Sequence, residues 1–244
     1  MRTIRSFVDQ PMATGQRFAL PELTTHHLVR VLRLDVGDTC VLFNGDGHDY
    51  QARLLTAQKR GAEVEIGERL EVRNESTLRI TLVQGIARGE KMDLILQKAT
   101  ELGVAVIAPV ITDRTEVKLD GERTDKKMNH WRGVLAAACE QCGRARLPEI
   151  VEPQSLAKFA ASDQSERRLV LDPEADNSLA DLRLPAEASI SLAIGPEGGF
   201  SERDLAMLRA GGYEKVRLGP RILRTETAGM AAIAALNALF GDWR

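Results

Sequence analysis

Aromatic residues are scarce in this chain, only 4% of its 244 positions. That argues against a β-sandwich or barrel running through the whole length, because such cores lean on large ring side chains. Cysteines are few as well: Cys40, Cys139 and Cys142 are the complete set, which excludes a disulfide framework and suits a reducing compartment. Cys139 and Cys142 form a C-x-x-C, but no second pair completes a tetrahedral zinc site, so no metal is expected. The pair sits in the helical stretch "LAAACEQCGR" and reads as small packing residues on one face, ahead of a redox couple or half a metal site. No stretch reaches the ~18 consecutive apolar residues of a membrane span. The opening "MRTIRSFVDQ" contains no apolar core for a signal peptide, so a cytoplasmic protein is expected. Neither sign of charge dominates: 33 Lys and Arg face 35 Asp and Glu, a net charge of −2. Such a balance offers no support for a nucleic-acid partner and does not exclude a local basic patch.

What is present divides into two textures that meet near residue 74. Hydrophobic residues make up 43% and charged residues 28%, enough for one large core or two unequal ones. Up to that point the chain shows short strand-like runs. "TCVLF" leads through the turn signal "NGDG" (Asn44 to Gly47) into "HDYQARLLTA", and "AEVEIGERL" alternates as a half-buried strand does. The pattern predicts a small β-barrel. Beyond "EVRNEST" strands and helices alternate, as in a mostly parallel α/β sheet. "LRITLVQGIA", "VAVIAPVIT", "RRLVLD", "SLAIG" and "KVRLG" are the strands. "GEKMDLILQKATELG" places Met92, Ile95, Leu96, Ala99 and Leu102 at helical spacing, with Gly103 as the stop. Ser201 and Asp204 make a capping-box start for "SERDLAMLRAGG". The last helix, "TETAGMAAIAALNALFG", is apolar nearly all round, which fits burial inside the subunit or at a subunit interface.

Two strand ends resemble each other. "SLAIGPEGGF" closes on Gly195-Pro196, and "KVRLGPRILRTETAG" closes on Gly219-Pro220. Carboxyl ends of parallel strands lie on one side of a sheet, where ligands of open α/β folds bind. Glycine permits close approach and proline fixes the turn. A diphosphate calls for unpaired N–H groups and often a lysine, whereas Glu197 in the first loop favours a cation or a hydroxyl donor. S-adenosylmethionine, a neutral adenosine carrying a positive sulfur, suits such a cleft. "GIARGE" is no dinucleotide fingerprint, which counts against an oxidoreductase or synthetase.

"IGPEGGFS", "LGPRILRTETA", "RGEKMDLILQKATELGV", "EQCGR" and, nearer the start, "HHLVRVLRLDVGD" together resemble the RsmE family, bacterial 16S ribosomal RNA (uracil-N3)-methyltransferases of the SPOUT superfamily. The resemblance spans nearly the whole chain. It implies an α/β, SPOUT-type catalytic domain at 74–244 with a C-terminal trefoil knot, preceded by a PUA-like, RNA-binding β-barrel at 1–73. It also implies a homodimer, S-adenosylmethionine in the knot, and 16S rRNA, within the assembled small subunit, as substrate. The target by family analogy is N3 of U1498.

On that resemblance, the cofactor is held by Leu171, Ile194, Gly195, Glu197, Gly198, Leu218, Gly219, Ile222, Leu223 and Thr225. N3 of uridine carries a proton that must leave before the lone pair can attack. Catalysis is therefore chiefly deprotonation and positioning. Arg224 and Arg144 are the expected charge stabilisers or substrate anchors, and Glu140 and Glu226 the candidate bases. An i,i+4 ion pair is the commoner use of residues spaced like Glu140 and Arg144. Arg2, Arg5, Arg30, Arg33, Arg88, Lys91 and Lys98 are the expected RNA contacts, with a solvated face the alternative for the helix lysines.

Overall fold

The computed structural model describes residues 4–58, 61–117, 121–185 and 187–243. The chain forms two units, Met1–Glu75 with Ala136–Leu147 and Ser76–Leu135 with Pro148–Arg244. The first carries a five-stranded sheet: β1 (Arg5–Phe7), β2 (Arg17–Ala19), β3 (Thr39–Phe43), β4 (His48–Gln58) and β5 (Gly61–Glu71), in the order β1-β3-β4-β5-β2. The β3–β4 turn is built by Gly45 and Gly47, at φ of 92° and 94°, while Asp46 accepts the His48 amide at 2.9 Å and the Tyr50 hydroxyl at 2.6 Å. Alternation along β4 and β5 turns Ala52, Leu54, Val64 and Ile66 into one core with Leu28 and Leu42. A short helix α1 (Glu22–Thr25) runs into a π-helical turn (His26–Val31), an element the sequence did not suggest.

The same unit takes in the end of a long helix, α3 (Gly121–Cys142). There Cys139 packs with Phe43 and Ala145 in a small apolar cluster. A hydrogen bond with Cys142 and burial push the Cys139 thiol far up, and burial pushes Cys40 up to about 12. Thiols held protonated in this way are poor nucleophiles. Among the described residues no group of His, Cys, Asp or Glu is placed to hold a metal ion.

The second unit is an all-parallel sheet with helices on both faces. Its strands are β6 (Arg79–Gly85), β7 (Val106–Ile111), β8 (Glu149–Ile150), β9 (Gln154–Ser155), β10 (Arg167–Leu171), β11 (Ser189–Ile194) and β12 (Glu214–Val216). The order is β12-β10-β11-β6-β7-β8, with β9 also on β7. One face (Ile80, Leu82, Leu169, Ile190, Leu192, Ile194) packs on α2 (Glu90–Glu101), the first part of α3 and α6 (Thr225–Phe240). The other (Val83, Val110, Val170, Ala193) packs on α4 (Leu156–Ser162) and α5 (Glu202–Ala210). Fully buried Ile233 and Leu236 each contribute about 1.5–3 kcal/mol of burial to the α6 contact.

β11 and β12 follow each other along the chain, yet β10 lies between them in the sheet. The segment after β12 must therefore cross β10 to bring α6 onto β11. The final helix, apolar all round in sequence, buries one stripe (Thr225, Gly229, Ala232, Ile233, Leu236, Asn237) and leaves Leu239 42% exposed. The capping box at Ser201 and Asp204 forms with both of its hydrogen bonds.

Nearer the amino ends of the strands a polar knot holds the sheet. Tyr213 donates to Asp163 at 2.6 Å, and Ser165 meets Ser191 at 2.9 Å. Burial raises the Asp163 carboxyl, but bonds from Tyr213, Ser191 and Ser165 outweigh it and hold it below the usual carboxylate range. A depressed carboxylate adds stability above its unfolded pKa and loses it as pH falls through the folded one. Thermal unfolding is therefore expected to show stability declining once pH drops below about 4. Tyr213→Phe is expected to cost about 1–2 kcal/mol at neutral pH and to flatten that acid slope.

Candidate active site

The carboxyl ends of β6 and β11 come together backbone to backbone. A Cβ on Gly85 would lie 2.5 Å from Pro196 Cδ, so only glycine fits. Past Pro196 the chain folds into a tight turn, closed by Gly199 N–H donating to Pro196 O at 2.8 Å with Gly199 at φ 68°. A Cβ on Gly195 would meet the backbone of Gly199 at 2.9–3.0 Å. The loop after β7 braces this turn: Arg114 donates to Gly198 O at 2.6 Å, and Ser201 Oγ donates to Asp113 at 2.7 Å.

The start of α6 is tied to the same place. Thr225 Oγ1 donates to Gly195 O at 2.5 Å. Gln84, the last residue before Gly85 and fully buried, donates through Nε2 to Gly85 O at 2.9 Å and to Thr225 Oγ1 at 3.0 Å. Among the described residues, the buried side-chain polar atoms without a partner include Gln84 Oε1 and, in the first turn of α6, Glu226 Oε2. Both are acceptors. Gly85 and Gly195 leave no room for side chains here, so the turn offers backbone at close range, which fits a nucleoside such as S-adenosylmethionine.

A charged rim surrounds the turn. Glu197 accepts the Arg88 amide at 3.1 Å and lies 3.4 Å from Lys91 Nζ; burial raises its carboxyl, and these contacts, the amide bonds first, pull it below the usual range. Arg88 pairs with Glu116. Glu197 thus fastens the turn to the start of α2.

The RNA methyltransferase domain family matches residues 74–237, and the RNA methyltransferase PUA domain family matches residues 23–75. Ribosomal RNA small subunit methyltransferase E of Buchnera aphidicola subsp. Schizaphis graminum is 33% identical over 243 residues, 99% of this chain and 98% of that protein. The chain belongs to the RsmE family. The RsmE protein of Bacillus subtilis is 28% identical over 96% of this chain and 95% of its own length. Among solved structures, an RsmE from Neisseria gonorrhoeae bound to S-adenosyl methionine superposes with a TM-score of 0.92 at 37% identity over 100% of both chains. A putative methyltransferase from Legionella pneumophila in complex with bound SAM gives 0.95 at 40% identity, over 99% of this chain and 100% of that one.

Within this RsmE-family chain, Ile194, Gly195, Glu197, Gly198 and Thr225 gather at the turn just described. Leu171 and Leu218 are half-buried near the ends of β10 and β12, and Leu223 is half-buried ahead of α6. Gly219 takes a φ of 73°, and Ile222 is 85% exposed in the single chain. Arg224 is exposed at the N-cap of α6, one residue before Thr225. Of the candidate catalytic residues Glu140 and Arg144, the first lies in α3 and the second two residues past its end at Cys142. Glu140 accepts from the Phe7 amide at 2.8 Å and from Ser6 Oγ at 3.2 Å. Arg144 binds Glu75 at 2.5 Å with its side chain 5% exposed.

Arg5, expected on an RNA-facing surface, is instead buried: its side chain is 8% exposed, binds Asp49 at 2.5 Å and Cys139 O at 2.7 Å, and lies over Phe43. Arg30 and Arg33 are exposed, Arg33 at φ 58°. Lys98 is held by Glu101 at 2.7 Å. Arg2 lies outside the described residues. Gln84, Gly85 and Arg114 were not anticipated. A single glutamine ending the apolar run "ITLV" was the available signal for the first.

The steric argument has a direct check. Gly85→Ala and Gly195→Ala are each expected to lower unfolding stability by about 1–3 kcal/mol, read by denaturant titration. Gly61→Ala, where a Cβ meets nothing within 4 Å, is expected to be near neutral.

Proposed function

We propose that this protein transfers a methyl group from S-adenosylmethionine to N3 of a uridine in 16S rRNA of the small ribosomal subunit, U1498 by family analogy. The observation that carries this reading is the tight glycine turn at the carboxyl ends of β6 and β11, to which Thr225 ties the start of α6, in a chain of the RsmE family. Support also comes from the two solved relatives with the same cofactor bound, which match this chain over nearly its full length.

The cofactor supplies an electrophilic methyl group. Ile194, Gly195, Gly198 and Thr225 at the first turn, and Leu171, Leu218, Gly219, Ile222 and Leu223 around the second, would hold it. Glu226 is the general base in this reading, since its buried oxygen has no competing donor. Glu140 is the weaker candidate, because Ser6 and Phe7 already occupy its carboxylate. Removing the N3 proton places negative charge on the two flanking carbonyl oxygens of the base. The exposed guanidinium of Arg224, at the N-cap beside Thr225, is positioned to stabilise that charge. Arg144, buried against Glu75, fits a structural anchor better than a substrate contact.

The same reading includes a PUA-like barrel in the first unit, a trefoil knot where the segment after β12 crosses β10, and a homodimer that covers the half-exposed side of α6. It places the enzyme in the cytoplasm with the ribosome. RNA contacts fall to Arg30, Arg33, Arg88, Lys91 and Lys98, each adding to the salt dependence of binding.

Small subunits from a strain lacking the modification are the substrate for the test, with naked 16S RNA alongside. The expected product is N3-methyluridine at a single site. Glu226→Gln is expected to lower kcat by about 10²-fold or more with cofactor affinity little changed. A methyl found on carbon or on a ribose oxygen refutes the mechanism, and unchanged turnover in Glu226→Gln removes that residue from it.

A further inference from the structure

We infer that Gln84 is a positioning residue that sets the cofactor cradle, acting through Thr225 on the carbonyl of Gly195. The inference rests on the methyltransferase reading above and adds a residue to it. A glutamine is out of place on this strand. Ile80 and Leu82 share its face and are fully buried in the apolar core beneath α6, and Gln84 is likewise 0% exposed. Burying an amide among aliphatic residues is unfavourable unless its groups are used.

Gln84 uses one end completely. Its Nε2 spans Gly85 O at 2.9 Å and Thr225 Oγ1 at 3.0 Å, with Gly195 O at 3.5 Å. Because Thr225 Oγ1 receives that hydrogen, its own proton is directed to Gly195 O at 2.5 Å. One chain of hydrogen bonds thus joins the end of β6, the turn after β11 and the first residue of α6, three elements far apart in sequence. Polarised chains of this kind strengthen each member. Without the amide donor, the Thr225 hydroxyl is free to rotate, and the Gly195 carbonyl loses the constraint that orients the glycine turn.

The other end, Oε1, has no donor. Gly229 faces it: a Cβ there would stand 3.9 Å from Oε1 and 3.7 Å from Ile194 and Leu82. These are ordinary packing distances, so α6 covers Oε1 with apolar neighbours and no donor. An aliphatic side chain at position 84 would fill this space with no unpaired oxygen, so packing alone does not account for the glutamine. Retaining the amide is explained by the work of its Nε2.

The test measures S-adenosylmethionine binding by calorimetry, and steady-state KM for cofactor and for small subunits, in the full chain. The variants are Gln84→Met, Thr225→Val, Thr225→Ser and the Gln84→Met/Thr225→Val double. Gln84→Met and Thr225→Val are expected to raise cofactor Kd and KM about tenfold each, with KM for the subunit changed less than about twofold. Thr225→Ser, which keeps the hydroxyl, is expected to recover most of the affinity that Thr225→Val loses. The double variant should be no weaker than the worse single, since both break one chain. Melting temperature is recorded for each: a lowered melting point with unaltered Kd means a structural role and overturns the inference, as do additive losses in the double. Should Gln84→Met fail to fold, the Val and Ser variants at position 225 decide by themselves. Failure of the unaltered protein to bind S-adenosylmethionine would remove the reading underneath, a result distinct from variants that bind normally.

Discussion

Backbone meets backbone where the β6 end passes the turn after β11, and the rest of the second unit is arranged around that contact. Gly85 against Pro196 leaves no room for a side chain, and Gly195 against Gly199 leaves none either. Closeness of this kind removes side chains from between the two backbones, and hydrogen bonds from Gln84, Thr225, Arg114 and the Gly199 amide hold the local carbonyls in fixed directions. A site that recognises its ligand by a few fixed polar groups depends on such preorganisation.

The two ends of the parallel sheet are correspondingly different. Toward the amino ends Asp163, Tyr213, Ser165 and Ser191 satisfy one another. At the carboxyl ends of β6 and β11 the hydrogen bonds instead tie separate elements together: Gln84 reaches Gly85 O and Thr225, and Thr225 reaches Gly195 O. Gln84 Oε1, buried beneath α6, has no partner, and the apolar packing of α2 and α6 on the sheet offsets that cost.

Much of the architecture was legible along the chain. Helical spacing at Met92, Ile95, Leu96 and Ala99 placed α2, and the Ser201–Asp204 box placed the start of α5. The glycines of "NGDG" placed the β3–β4 hairpin, and alternation in "AEVEIGERL" placed β5. These signals are local, so nearby residues suffice to carry them. The π-helical turn at His26–Val31 and the short α4 were missed because their patterns are brief and weakly periodic. Of the site, the glycine-proline turns were visible, but Gln84 was not. Arg5 looked like a surface cation, and only its long-range contacts with Asp49 and Cys139 reveal it as an internal tie.

The sequence by itself determined the longer strands and helices, several of the turns between them, and that two strand ends carry matched glycine-proline kinks. Those properties follow from side-chain periodicity and backbone permissiveness, which act over a few residues. Tertiary structure alone decided that β10 separates the two strands, that α6 begins beside Gly195, and that a glutamine and a threonine about 140 positions apart share a hydrogen bond. Strand order arises from how whole faces pack, and no local pattern encodes which strand becomes whose neighbour.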